Sequence, residues 1–343
     1  MNGTIRAWLK RVPGLSRLAL MYHAPIIAAE RDRLKARLAL LDSDPVEAIK
    51  LFPKSVWLWG ELQSRRAVQG QGYNLVPTDF YSNTPSIADI ESSFEYADPE
   101  LRVPPYDLGL DDALMQAELQ SLIPHAAEFT PPAADRGDGG YFWDNGLFGA
   151  SDAMAYYCYL RKLSPKTVLE IGSGFSSLAA LAGLKANGSG QLVCIEPYPR
   201  DFLKGRADIE LVQEPAQGLT AEYFNDILAD GDVLFIDSTH TVKTGSDCLH
   251  IYLRLLPKLR RRLHVHVHDI YLPFGMPKND LLERQIHWTE QYLLLAFLLD
   301  NAKARVLYGS RYHAWRNPQM LESLMAGKAP IGGGSFWFEY RGA

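Results

Sequence analysis

The chain has 343 residues, of which 47% are hydrophobic and 22% charged, a balance that excludes a collagen-like or disordered polypeptide and allows a sizeable buried core. Its 35 Lys and Arg against 40 Asp and Glu give a net charge of −5, too mild to draw nucleic acid onto a basic face. Three widely spaced cysteines, Cys158, Cys194 and Cys248, form no CxxC pair and no disulfide framework, which fits a reducing, cytoplasmic compartment.

Eight basic side chains fall in the first 41 residues: Arg6, Lys10, Arg11, Arg17, Arg31, Arg33, Lys35 and Arg37. The apolar stretch from Leu18 to Ala29 contains His23 and Pro25, lacks a small-residue cleavage site and is too short for a bilayer, which takes about 20 residues. Leu34, Leu38 and Leu41 at helical spacing predict an amphipathic helix from Ala28 to Leu41. It would pack on the main domain or a sister subunit, a route to homo-oligomers, or meet an anionic membrane surface. Between Tyr73 and Gly140, Pro77, Pro85, Pro99, Pro104, Pro105, Pro124, Pro131 and Pro132 break up long elements, leaving short helices such as Asp111–Leu122. Residues 1–140 therefore read as a helical and loop-rich extension, serving as a lid or an oligomerisation segment.

From Tyr141 onward the pattern is regular. Strands are predicted at Thr167–Ile171, Gln191–Glu196, Ile209–Gln213, Val233–Asp237, Leu263–His268, Arg305–Tyr308 and Ser335–Tyr340. Helical stretches at Ser176–Ala186, Ala221–Leu228, Thr244–Leu256 and Leu281–Leu299 separate them. The alternation predicts an α/β domain over 141–343 with a mainly parallel sheet, whose ligand sits beyond the carboxyl ends of the strands.

The first strand runs into Gly172-Ser173-Gly174 and then a helix. Two glycines permit a tight turn and close approach of a ligand to the free N–H groups of the helix. A dinucleotide fingerprint would place a third glycine at position 177, where Ser177 stands. Glu196 closes the second strand, where a carboxylate can accept hydrogen bonds from both ribose hydroxyls of an adenosine, a geometry shared by NAD and S-adenosylmethionine.

Glu170 before the Gly-Ser-Gly turn, followed by Glu196, resembles the class I S-adenosylmethionine-dependent methyltransferases. Their Rossmann-like sheet ends in an antiparallel last strand, which Gly332 to Phe338 would supply. The likeness extends to Tyr141-Phe142-Trp143-Asp144-Asn145-Gly146, to Ile236-Asp237-Ser238-Thr239-His240 and to His266-Val267-His268-Asp269-Ile270. Together these are similar to a bacterial subgroup of small-molecule methyltransferases, some linked to sugar or natural-product tailoring, over about Tyr141 to Tyr340. The resemblance implies S-adenosylmethionine as cofactor and a hydroxylated small molecule or glycan as acceptor. It puts Glu170, Gly172, Ser173 and Gly174 around the methionine part, Glu196 on the ribose, and Gln213 with Glu214 near the adenine. Trp143 and Asn145 would close over the cofactor from the preceding segment.

Asp237, His240, His268 and Asp269 follow the fourth and fifth strands and reach the same rim. A hydroxyl acceptor must be held in line with the methyl group and lose its proton, to a histidine base or with the help of a divalent cation that lowers its pKa. Metal-assisted catechol-type methyltransferases carry Asp-Asn or Glu-Asp on the fifth strand, where this chain has His268-Asp269. The departure puts magnesium in question, and Asp237, Asp269 and one histidine would suit manganese, zinc or iron instead. The alternating His264 and His266 are expected to be hydrogen-bonded inside the sheet. Thr244 to Asp247 has capping-box spacing, and Glu290, which could reach the rim, is expected instead to be a solvated or capping carboxylate. Two other classes stay open from the residues: a non-haem iron oxygenase using Asp237, His240 and His268, and a non-catalytic binding module.

Overall fold

The protein is described by a computed structural model, which covers residues 28–36, 39, 62–74 and 78–342. Arg6, Lys10, Arg11, Arg17, Arg37, Leu38, Leu41 and Pro77, and the apolar stretch up to residue 27, lie outside the described residues. The chain divides into two compact units at Thr84/Pro85. In the first, residues 28–36 and 39 of the expected amphipathic helix are helical, and a second helix spans Leu62–Gln69.

The second unit holds a seven-stranded sheet: β1 (Thr167–Ile171), β2 (Gln191–Ile195), β3 (Glu210–Val212), β4 (Val233–Ile236), β5 (Arg262–Val267), β6 (Ala304–Gly309) and β7 (Phe336–Arg341). The strand order is β3-β2-β1-β4-β5-β7-β6. Strands β1 to β5 are parallel, and β7 runs antiparallel between β5 and β6. Its helices are α1 (Ile87–Ser92), α2 (Asp112–Ala126), α3 (Ala150–Leu163), α4 (Phe175–Asn187), α5 (Ala221–Ile227), α6 (Asp247–His250), α7 (Lys278–Leu282), α8 (Glu290–Leu298), α9 (Ser310–Arg316) and α10 (Pro318–Met325).

All five residues of β1 are buried, as expected for a parallel strand covered on both faces. Side chains alternate between two apolar layers. Val168, Val233 and Phe235 pack with α3 and α4 around Tyr156, Leu160 and Trp337, whereas Leu169, Leu234 and Ile236 pack with Tyr252, Leu255 and Phe338. Residues 85–140 belong to this same unit: Leu119, Leu122 and Ala126 of α2 and the following Phe129 enter the first layer. The strand order reverses between β1 and β4, so a ligand site is expected beyond the carboxyl ends of these strands.

Two expected helices differ. The stretch Thr244–Leu256 starts later, because Ser246 rather than Thr244 is the cap, its Oγ accepting from the Leu249 N–H at 3.3 Å. It then widens into a π-helical turn at Ile251–Leu255. Asp247 is turned back to the loop after β4, where its carboxylate accepts from the Thr239 N–H at 3.0 Å and hydroxyl at 2.6 Å. The stretch Leu281–Leu299 is divided into α7 and α8. The reason is a partner distant in sequence: the His240 carbonyl accepts from the N–H groups of Thr289 and Glu290, at 2.8 and 3.0 Å, and so fixes where α8 begins.

Candidate active site

The loop after β1 is shaped by contact with the loop after β4. Gly172 has φ +83°, and a Cβ there would stand 1.8 Å from the Asp237 carbonyl oxygen. Only glycine lets the two backbones meet this closely. Ladder bonds run past the strand ends to hold them: Gly172 N–H to Ile195 O and Asp237 N–H to Ile171 O, both 2.9 Å. Gly174 caps α4 and donates its N–H to Ser177 Oγ at 3.2 Å.

Glu170 lies fully buried beneath this loop. It accepts from Tyr156 Oη at 3.1 Å, Ser177 Oγ at 2.5 Å and Cys194 Sγ at 3.7 Å. Burial pushes its carboxyl up, against the pull of these donors, to about 7. Glu196, half-buried at the end of β2, accepts from the Tyr198 N–H at 2.7 Å and the Ser173 N–H at 3.3 Å. Between the strand ends lies a cavity of about 310 Å³ walled by Gly172, Glu196, Tyr198, Ala216, Gln217 and Asp237.

Asp237 also faces a cluster of acids and imidazoles. Its Oδ1 lies 3.1 Å from His240 Nε2 and 3.5 Å from His268 Nδ1. Asp269 Oδ2 lies 3.8 and 3.6 Å from the same two nitrogens. Glu290 Oε2 is 2.7 Å from His240 Nδ1, and its Oε1 accepts from Tyr252 Oη at 2.8 Å. The ring is thus held between Glu290 at Nδ1 and Asp237 at Nε2. Asp152 of α3 accepts from the N–H groups of Gly334 and Ser335 at 3.0 and 2.9 Å, and its Oδ2 lies 3.3 Å from His268 Nε2.

Burial alone would raise the Asp237 carboxyl, but His268 and His240 hold it well below the usual carboxylate range. Burial alone would lower His240, but Asp237 and Glu290 raise it to about 10. Asp237, His240 and Asp269 each offer one ligand atom within 4.8 Å of the others. Beside them, both ring nitrogens of the buried His268 lack a hydrogen bond of good geometry. With Asp152 and Glu290 included, four carboxylates face two imidazoles, and the mixed N/O set suits a divalent cation.

On the far side of the cluster, Tyr271 Oη donates to Asp269 Oδ1 at 3.3 Å, and Tyr271 walls a second cavity of about 620 Å³. A third hollow, about 860 Å³, is lined by the opening residues of β2 and β3, at the sheet edge away from these loops.

Residues 169–270, from β1 to the loop beyond β5, match the model of a family described as "Methyltransferase domain". That stretch resembles a methyltransferase domain. A protein of Archaeoglobus fulgidus described only as uncharacterized is 28% identical over 160 residues, 44% of this chain and 72% of its own length. Among solved structures, the O-methyltransferase TomG of Streptomyces achromogenes is similar at 15% identity and TM-score 0.33, over 68% of this chain and 91% of its own. The O-methyltransferase of Bacillus cereus is similar at 15% identity and TM-score 0.28, over 67% and 91%.

Within this α/β unit the residues singled out from the sequence are not all brought together. Gly172 and Glu196 wall the smaller cavity, and Ser173 joins them through its N–H to Glu196. Glu170 is turned to the underside of the glycine loop and is covered by Tyr156, Ser177 and Cys194. Gln213 and Glu214 are exposed, and the turn Pro215 to Gln217 stands at the cavity instead. Asn145 closes its own turn, holding Phe142 O, Phe148 O and the N–H groups of Leu147 and Phe148. Trp143 packs edge-on against Phe129 and Tyr141. Asp237, His240, His268 and Asp269 do converge. His266 bonds Ser335 Oγ at 2.9 Å and stacks on Trp337, inside the core.

Glu290 is corrected: it is buried and anchors His240 rather than being solvated or capping. The sequence does not single out Asp152 or Tyr252. An acid in the first turn of a helix, which is where Asp152 and Glu290 stand, looks like dipole compensation, and no local signal separates the two roles.

Proposed function

We propose that the protein methylates a hydroxyl group of a small molecule or glycan, using Asp237, His240 and Asp269 to hold a divalent cation and His268 to take up the hydroxyl proton. The observation that carries this reading is Asp237, which walls the cavity beside Gly172 and Glu196 and also belongs to the acid–imidazole cluster. In this reading S-adenosylmethionine occupies that cavity. Glu196 binds the ribose hydroxyls, Gly172 and Gly174 admit the methionine part, and Ala216 and Gln217 face the adenine. Glu170 acts as a positioning residue by holding Ser177 and, through it, the Gly174 N–H.

A bound cation would supply a positive charge that favours the ionised acceptor oxygen. The protein's own groups do the rest: Glu290 fixes the His240 ring with Nε2 outward, and His268 stands within 3.6 Å of three carboxylates, Asp152, Asp237 and Asp269, that stabilise its protonated form. A cytoplasmic location, a non-nucleic-acid acceptor and self-association through the N-terminal helix accompany this reading as proposals. The likeness of residues 169–270 to a methyltransferase domain supports this reading over the oxygenase and binding-module alternatives.

The test is calorimetry of metal-stripped protein with S-adenosylhomocysteine, then with magnesium, manganese and iron(II). Micromolar S-adenosylhomocysteine binding that is lost in Glu196→Ala, and cation binding lost in His240→Ala, are expected. Binding of S-adenosylhomocysteine unchanged by Glu196→Ala would overturn the cofactor placement, and cation binding unchanged by His240→Ala would overturn the metal site.

A further inference from the structure

The 620 Å³ cavity has an electrostatic asymmetry that the methyl-transfer chemistry does not require. Two cations line it, Lys278 at the start of α7 and Arg311 in α9, and two acids, Glu95 and Asp98. Both acids are already engaged. Glu95 Oε1 accepts from the Tyr106 and Tyr292 hydroxyls at 2.6 and 2.9 Å. Asp98 accepts from the N–H groups of Glu100, Arg102 and Val103, at 2.8 to 3.2 Å, and has Arg102 at 3.7 Å.

The cations are not so engaged. Among the described residues, neither Lys278 nor Arg311 has a carboxylate within 4.0 Å. Each is instead held over an aromatic ring: Arg311 Cζ 5.2 Å from the centre of Phe274, Lys278 Nζ 5.4 Å from that of Tyr96. Such rings hold a cation's position without neutralising it. Both residues are half-buried, and burial lowers the Arg311 guanidinium from its ordinary value. A partly desolvated guanidinium without a counter-ion is unfavourable unless a ligand supplies one. The same cavity meets the acid–imidazole cluster through Tyr271, whose hydroxyl bonds Asp269.

We propose that this cavity binds the methyl acceptor, and that the acceptor carries an anionic group, a carboxylate or phosphate, which Arg311 and Lys278 hold while its hydroxyl is turned toward Tyr271 and Asp269. This rests on the methyl-transfer reading above and adds to it the acceptor's charge and the end by which it is gripped. A neutral sugar or phenol would leave both cations uncompensated.

The test is titration of the protein saturated with S-adenosylhomocysteine, using inorganic phosphate and benzoate as probes and benzamide as the neutral control. Saturable binding of at least one anion is expected, the tighter of the two naming the acceptor's group, with benzamide weaker. Arg311→Met and Lys278→Met should each weaken anion binding about tenfold, the loss of one charge-assisted contact, while Arg311→Lys retains part of it. S-adenosylhomocysteine affinity, measured on each variant, should stay as in the wild type and shows that the variant is folded. Equal binding of benzoate and benzamide, anion binding unchanged in both Met variants, or no anion binding up to tens of millimolar would overturn the proposal. Failure of S-adenosylhomocysteine to bind, with phosphate still dependent on Arg311, would instead strike the methyl-transfer reading and leave the anion site standing.

Discussion

Gly172→Ala probes the contact on which the whole rim depends. The added Cβ would lie 1.8 Å from the Asp237 carbonyl oxygen, and such contacts do not persist below 3.0 Å, so the loops after β1 and β4 must separate by at least about 1.2 Å. Holding alanine at φ +83° adds about 1–2 kcal/mol of backbone cost. A displacement of this size can cost on the order of 100-fold in turnover, and here it moves the Asp237 backbone away from Gly172 at the cavity they share with Glu196. Gly188→Ala is the control: it shares the positive φ, +69°, but has no atom within 4 Å of the new methyl group. Calorimetric titration with S-adenosylhomocysteine, beside thermal melts, separates the two effects. Gly172→Ala should bind at least about tenfold more weakly, whereas Gly188→Ala should lose about 1–2 kcal/mol of stability with unchanged binding. Wild-type affinity in Gly172→Ala, or an equal loss in Gly188→Ala, would refute the argument that backbone contact, rather than glycine's flexibility, makes this loop.

Two further outcomes are expected. The Glu170 carboxyl is raised by burial to about 7, so the folded protein holds this proton more tightly than the unfolded chain. The resulting stability is complete below the ordinary carboxylate pKa and is lost as pH rises through about 7. Relative to Glu170→Gln, the wild type should therefore lose on the order of 2–3 kcal/mol between pH 5 and pH 8, and parallel pH profiles from urea unfolding would contradict this. Glu290→Gln keeps the side chain's size but offers one oxygen where His240 Nδ1 and Tyr252 Oη now use two. It should weaken manganese binding about 10–100-fold without changing S-adenosylhomocysteine affinity, and equal manganese titrations of variant and wild type would show that His240 needs no anchor.

Much of the sheet is legible from the residues because its parallel strands are short β-branched and apolar runs bounded by turns. Thr167–Ile171 is read to the residue, and the other strands to within one or two. The glycine loop and Glu196 are legible for the same reason, since they close strands whose ends are known. Legibility fails where a partner lies far along the chain. The division of Leu281–Leu299 depends on the His240 carbonyl, some 50 residues earlier, and the buried state of Glu290 depends on His240 and Tyr252. Nothing in Thr289-Glu290-Gln291 announces either partner. Trp143 and Asn145 show the converse: residues from a segment expected to close over the cofactor are consumed by local packing and an Asx-type turn.

Asp237 is a party wall. One side of the residue bounds the cavity shared with Glu196, the other faces His240 and His268, and its carbonyl rests on Gly172 with no room for a methyl group between. Two compartments that differ in chemistry are thus partitioned by a single residue. A substitution there confounds both rooms at once, so that a loss of turnover in an Asp237 variant carries no information about which of them failed. His240 and Asp269 stand on one side only and are the positions at which the two can be dissected.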